Sequence, residues 1–186
     1  AQEEIRFLLE NEDLACTLTD LHQAGKLPLR VTHNDTKINN VLFNPEDHSA
    51  LVVIDLDTVM PGLIGHDFGD AIRFAANRCE EDCPDPGKAG VDMEVFRSFA
   101  EGFLEKTAHA MTQAEVDTLA ISCFCLTAEL AVRFLGDYLE GDPYFKTLYP
   151  EHNLVRTRCQ IALAKDMLAR RGEMENIIRD CLAQYK

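Results

Sequence analysis

The chain has 186 residues, 46% of them hydrophobic, enough for one domain or one large lobe with a sizeable core, which excludes the disordered and low-complexity classes. It carries 32 Asp plus Glu against 18 Lys plus Arg, a net charge of −14 that repels phosphate backbones, and no basic cluster offsets it. Nucleic acid and anionic membranes are therefore not expected partners, and a phosphate ligand would need a metal cation to mediate its contact.

Residues 3–24 place Ile5, Leu8, Leu9, Leu14, Leu18 and Leu21 at mostly helical spacing and stop at Gly25, shortly before Pro28, which predicts one amphipathic helix. Three short strands are expected next, at 29–32, 41–44 and 51–54, the last two separated by the turn-forming PEDHSA. From Asp67 onward the pattern is helical. Helices are expected at 67–78 and 92–110, separated by the acidic loop CEEDCPDPGKAG. Thr112 and Glu115 form a capping box that opens a long helix through Leu139, and Gly-Asp-Pro at 141–143 ends it. The last two helices are expected at 153–171 and 173–184, with Met174, Ile177, Ile178, Cys181 and Leu182 on one face. The predicted class is α+β, mainly α-helical, with a small β element set in a helical body and no βαβ alternation.

Seven cysteines (Cys16, Cys79, Cys83, Cys123, Cys125, Cys159 and Cys181) lack CxxC spacing, and four lie in apolar helical patterns. They read as reduced thiols of a cytoplasmic protein. Cys79 and Cys83 could bind zinc, but no second Cys/His pair lies near them in sequence. There is no basic-then-apolar leader, and no apolar run near about 18 residues is evident, so neither secretion nor a membrane span is expected.

The chemistry concentrates in RVTHNDTKINNVLF, residues 30–43, where His33, Asp35, Lys37 and Asn40 crowd between two apolar runs. If 41–44 and 51–54 pair as an antiparallel hairpin with Asn44 facing Leu51, Asn40 falls opposite Asp55, with side chains about 5 Å apart on one side. An amide oxygen beside a carboxylate suits Mg²⁺, which completes its octahedron with substrate phosphates and water. Asp35 lies in the loop leading to the same end, where a carboxylate could take the proton of an attacking hydroxyl, and Lys37 could offer a cation to the transferred phosphate. The order H-x-D-x-x-x-x-N, then an apolar strand and an Asp, is also that of the protein-kinase catalytic loop. The first motif alone arises by chance at on the order of one per cent for a chain of this length; the hairpin and Asp55 raise its specificity.

THNDTKINNVLF, VVIDLDTVMPG and HDFGDAIR resemble the catalytic loop, metal loop and following helix of the aminoglycoside phosphotransferase and choline kinase superfamily, and the wording of the last two is most similar to its N-acetylhexosamine 1-kinase-like branch. The resemblance spans about 14–150 and is dense between 30 and 75. It implies a protein-kinase-like C-terminal lobe over 1–186, ATP and Mg²⁺ as cofactors, and a small-molecule hydroxyl as acceptor. It further implies Asp35 as catalytic base, Asn40 and Asp55 as metal ligands, His33 as a brace of the loop, and Asp57 as a second-metal or supporting group. No Gly-rich hairpin and no Lys–Glu pair precede residue 30, so a split or truncated kinase is expected, its partner the missing N-terminal lobe.

Other candidates have plainer readings. Asp67 and Asp70 could cap the helix that they open or, by the resemblance, anchor the catalytic loop, with Arg73 pairing either. Glu129, Arg133 and Asp137 recur every four residues, as a salt-bridged solvated face or as sugar-hydroxyl contacts; the solvated face is the expectation. His66 lies just after the metal loop, within reach of an acceptor. IDLDTV also fits the D-x-D-x-[T/V] nucleophile motif of haloacid-dehalogenase-like phosphohydrolases, which would make Asp55 a nucleophile and would require a doubly wound parallel sheet. A catalytically silent lobe or scaffold is the remaining alternative.

Overall fold

The computed structural model describes residues 1–185. Among the described residues it has eight α-helices and two separate two-stranded antiparallel ribbons. The N-terminal segment, expected as one helix, is three: α1 (Gln2–Glu10), α2 (Glu12–Ala15) and α3 (Thr17–Gln23). Polar side chains break it. Asn11 Nδ2 donates to the Phe7 carbonyl at 2.8 Å and Thr17 Oγ1 to that of Leu14 at 2.7 Å, so side chains compete with the backbone at both joints.

β1 (Arg30–Thr32) pairs with β4 (Met60–Gly62), and β2 (Val41–Phe43) with β3 (Ala50–Val53). β4 was not expected, because its Pro61 and Gly62 are poor strand formers. The β2/β3 register also differs from expectation by one residue. Val41 faces Val53 and Leu42 faces Val52, and a bulge then lets Phe43 face Ala50. Asn40 therefore bonds Ile54, through Ile54 N–H to the Asn40 carbonyl at 2.9 Å, and is not opposite Asp55. All four strands pair antiparallel, so the parallel sheet that the phosphohydrolase reading requires does not occur among the described residues.

α4 (Ile64–Ala75), α5 (Met93–Thr107), α6 (Gln113–Glu140), α7 (His152–Ala169) and α8 (Arg171–Leu182) form the body. The Thr112/Glu115 capping box opens α6, and Gly141 closes it at φ 91°. α6 is the central element, touching α4, α7 and α8. It crosses α4 closely: a Cβ on Gly69 would sit 2.5 Å from the Ser122 carbonyl oxygen, so only glycine allows the approach. Phe68 meets Phe96 and Phe103 edge-on in the core, and full burial of rings such as Phe68, Phe96 and Phe124 contributes about 1.5–3 kcal/mol each. Contrary to the sequence expectation, α6 is long and apolar enough to cross a membrane, but 72% of its most apolar window is buried against the other helices.

Candidate active site

The polar loop leaves β1 and is tied down at nearly every residue. Asn34 takes the left-handed conformation at φ 64°, which costs a non-glycine residue about 1 kcal/mol or more. The carboxylate of Asp67, on α4, offsets this cost by accepting the His33 and Asn34 backbone N–H groups, each at 2.8 Å. Leu63 is the residue before α4 and no side chain caps that helix, so Asp67 serves the loop and not the helix end. Thr36 Oγ1 donates to the Asp67 carbonyl at 2.7 Å, and Thr58 Oγ1 to that of His33 at 2.6 Å. His33 Nε2 lies 3.1 Å from the Ile54 carbonyl, while its Nδ1 faces the Asp35 N–H at 3.3 Å. The first contact needs a donor and the second an acceptor, so the Nε2–H tautomer satisfies both. The ring thus bridges the loop to the end of β3.

Asp35 projects from this loop. Its Oδ2 accepts from Lys37 Nζ and from Asn40 Nδ2, both at 2.8 Å. Burial alone would raise the Asp35 carboxyl, but the bonds from Lys37 and Asn40 outweigh it and hold the group below its ordinary range. Lys37 is raised in turn, first by its bond to Asp35, with the charges of Asp55 and Asp70 adding to it. A one-turn 3₁₀ segment, Ile38–Asn40, directs the buried Asn40 back at Asp35; its Nδ2 also reaches the Asp35 carbonyl at 2.8 Å.

Asp55 follows β3 in the left-handed region, φ 63° and ψ 55°, and a second 3₁₀ turn, Leu56–Thr58, carries Asp57. This turn, not cross-strand pairing, directs Asp55 towards the loop. Its carboxyl is pushed above the usual range, first by a hydrogen bond shared with Asp57 and then by the Asp57 charge, with Asp35 adding repulsion. The Lys37 charge offsets part of that rise. Among the described residues no three His, Cys, Asp or Glu side chains converge as a closed metal cage. The available donors are the Asp55 and Asp57 carboxylates and the Asn40 Oδ1, since both recorded bonds of that amide use its nitrogen. Such an open, hard-oxygen set fits an ion that keeps water and substrate phosphate in its shell. Among the described residues no third His, Cys, Asp or Glu gathers with Cys79 and Cys83 as a metal-holding group; Cys79 Sγ lies 3.9 Å from Cys159 Sγ, and burial followed by the neighbouring thiols pushes Cys79 up to about 12.

A cleft of about 830 Å³ opens beside Asp35 and Lys37. α4 contributes His66, Asp70 and Arg73 to it, and α6 contributes Glu129 and Arg133. Burial lowers His66, and burial raises Glu129 against the opposing charge of Arg133. Arg73 is spent internally, on Asp70 Oδ1 and Glu81 Oε1 at 2.8 Å each. The row expected as a solvated face divides: Glu129 and Arg133, 3.7 Å apart, line the cleft, and Asp137 is buried. Asp137 accepts Tyr144 N–H at 2.8 Å, Phe145 N–H at 2.9 Å and Asn153 Nδ2 at 2.8 Å. It thereby fixes a segment whose Tyr144, Phe145 and Lys146 close the far end of the cleft with Arg156 of α7. Sequence reasoning missed these residues; the signal was the aromatic pair directly after the Gly-Asp-Pro break.

The sequence profile of the phosphotransferase enzyme family matches residues 2–101, more than half of the chain. The chain belongs to that family. The aminoglycoside phosphotransferase/choline kinase-like superfamily is thereby supported, and membership implies phosphotransferase chemistry of the kinase type. The matched span of this phosphotransferase holds the 33–40 loop, Asp55, Asp57 and all of α4; α6, Tyr144, Phe145 and Arg156 of the cleft lie beyond it.

Proposed function

We propose that this phosphotransferase moves the γ-phosphoryl group of ATP to a hydroxyl of a small molecule, with Asp35 as the group that receives the acceptor proton. The observation that carries the reading is the position of Asp35 at the cleft, held by Lys37 and Asn40 and facing the Asp55/Asp57 pair. The acceptor oxygen forms its bond to phosphorus as the bond from phosphorus to the β–γ bridging oxygen breaks; the hydroxyl proton passes to Asp35 and ADP leaves with the bonding pair. A carboxylate held below its ordinary range is a weak base. Asp35 therefore first orients the hydroxyl and takes the proton late, as the loose transition state of phosphoryl transfer allows. Asn40, Asp55 and Asp57 would hold Mg²⁺, which supplies charge neutralisation for the phosphates. Lys37 lends its ammonium to the transferred group, and His33 braces the loop between β1 and β3. His66 and Arg133 contact the acceptor from the cleft wall, while Asp67 and Arg73 act one step back, through the loop and through Asp70.

The chain is, in this reading, a kinase-like C-terminal lobe. Exposed apolar residues support it: Leu42, Phe43, Leu51, Val52 and Val53 of the β2/β3 ribbon and the adjoining Ile54 all lie open, with Val31 of β1 at 83%. Apolar patches of this kind mark surfaces that another body covers, and a nucleotide-binding lobe with the adenine would cover this one. The resemblance of the DTVMPG and DFGDAIR segments points to an amino sugar of the N-acetylhexosamine type as acceptor. The test is ATP-dependent phosphorylation of a panel of sugars and amino alcohols by the whole protein, read by mass of the product. Asp35→Asn should lower turnover by about two to four orders of magnitude with folding intact. Full activity of that variant would remove Asp35 from the chemistry.

A further inference from the structure

The far end of the cleft differs in charge from its mouth. At the mouth the cations are matched: Lys37 pairs with Asp35, and Arg73 pairs with Asp70 and Glu81. At the far end Arg156 has no carboxylate partner among the described residues. Its Nη1 donates to two neutral oxygens, the Lys146 carbonyl at 3.2 Å and Asn153 Oδ1 at 2.9 Å, and its buried Nε has no hydrogen-bond partner. Leaving a charged donor unsatisfied is costly unless a ligand supplies the acceptor. Lys146, on the same wall, has no carboxylate within ion-pair distance among the described residues, and Arg133 has only Glu129, at 3.7 Å.

These cations are held in place. Arg156 Cζ stands 5.4 Å from the Phe134 ring centroid and Arg133 Cζ 5.5 Å from that of Phe145, and the two rings are 4.7 Å apart. Two guanidinium groups thus flank one aromatic pair, and buried Asp137 fixes the segment that carries Phe145 and Lys146. Uncompensated positive charge inside a cleft of a chain with net charge −14 is a local inversion of the surrounding field.

We infer that the acceptor carries, besides the hydroxyl that is phosphorylated, an oxyanionic group, a carboxylate or a phosphate monoester, which seats against Arg156, Lys146 and Arg133. The inference rests on the phosphotransferase reading for the identity of the cleft, and on the arginine geometry for the anion. Glu129 also lines the cleft, 3.7 Å from Arg133, and would meet the sugar-like part of such a molecule.

Binding without nucleotide separates the two readings. The whole protein is titrated calorimetrically, at fixed ionic strength, with glucose, glucuronate and glucose 6-phosphate, and with N-acetylglucosamine and its 6-phosphate. At least one anionic member should bind about tenfold or more tightly than its neutral counterpart, as one charge-assisted bond provides; whether acid or phosphate ester prevails identifies the anion. The Arg Nε–Hε resonance of Arg156 should shift on binding that member and not on adding chloride. Arg133→Gln and Lys146→Gln, both at exposed side chains, should each reduce the preference several-fold, and Arg156→Lys should keep more of it than Arg156→Gln. No preference for any anionic member, or a preference that survives Arg133→Gln combined with Lys146→Gln, would overturn the inference while leaving the kinase reading intact. An arginine-dependent preference without phosphoryl transfer would leave the anion site standing and remove the kinase reading.

Discussion

Replacing Asp67 with Asn tests how the reactive loop is held. Each carboxylate oxygen of Asp67 accepts one backbone N–H, from His33 and Asn34, at 2.8 Å. Asparagine offers one oxygen, so one N–H would face an NH₂ group and the surviving bond would lose its charge assistance. A hydrogen bond to a charged group is worth about 1.5–3 kcal/mol and a neutral one about 1. Asp67 is half-buried, and water can replace part of the loss. The net cost is then about 2–3 kcal/mol, which lowers the melting temperature of a chain this size by roughly 4–12 °C. The strain stored at Asn34, φ 64°, is released at the same time, so the damage concentrates in the loop. Amide exchange at His33 and Asn34 should accelerate by about one to two orders of magnitude, and turnover should fall as Asp35 loses its setting. Unchanged exchange at these two amides, with a melting temperature within about 1 °C of the parent, would refute the anchoring role.

Three further outcomes are expected. Asp137→Ala strands the Tyr144 and Phe145 amides and the Asn153 side chain, so it should cost about 3 kcal/mol or more by urea unfolding and raise the acceptor KM more than it lowers kcat. Burial raises Glu115, but its bonds from Arg30 and from Thr112 outweigh that effect and hold it below 4.5; its contribution to stability is thus complete above that value and lost as pH falls through the folded pKa. Glu115→Gln should therefore flatten the decline of the urea midpoint below about pH 4.5; an equally steep decline would count against the pairing. Gly69→Ala should destabilise by about 1–3 kcal/mol, since its Cβ meets Ser122 backbone that cannot yield, whereas Gly102→Ala, with open space around it in α5, should be neutral or stabilise by up to about 1 kcal/mol.

The helical body was legible because its signals are local. Thr112 and Glu115 cap α6 as their spacing required, and the apolar stripe of α8 is buried where its periodicity placed it. The errors arose where a distant contact decides a local outcome. The β2/β3 ribbon was visible in its flanking apolar runs, but a bulge beside Leu42 and Phe43 set its register, and a shift of one residue changes which side chains face each other. Asp67 could have been a helix cap or a loop anchor; its partners lie 34 and 33 residues away, and no spacing rule covers that distance. Glu115 has the same double life. It completes the capping box through Thr112 and also binds Arg30 in two places, each at 2.8 Å, 85 residues apart in sequence. Asp137 shared a four-residue rhythm with Glu129 and Arg133, and only the returning segment at Tyr144 and Phe145 removes it from the surface.

The surplus of acids in this chain therefore has two uses that composition cannot distinguish. Asp67 and Asp137 accept backbone N–H groups and hold segments that have no regular structure of their own, while Glu115 ties Arg30 of β1 to the start of α6. Asp35 instead lines the cleft, and Asp55 is raised first by its bond with Asp57 and then by the Asp57 charge, a rise that Lys37 offsets only in part. A carboxylate that spends both oxygens on backbone donors has little left for a ligand, while one raised by a neighbouring acid favours any cation that arrives. By that criterion the anchors separate from Asp55 without reference to position in sequence, while Asp35 differs from both in spending one oxygen on the side chains of Lys37 and Asn40. The same criterion, applied to cations, singles out Arg156 from Arg73: one has an empty buried donor, the other two carboxylates. A cleft that holds Asp35 and Asp70, each already paired, and also Arg156 and Lys146, which have no carboxylate partner among the described residues, orients an anionic ligand by charge before any specific contact forms. In the proposed reaction that orientation presents a hydroxyl to Asp35 and an anion to Arg156, and a neutral acceptor would lose it.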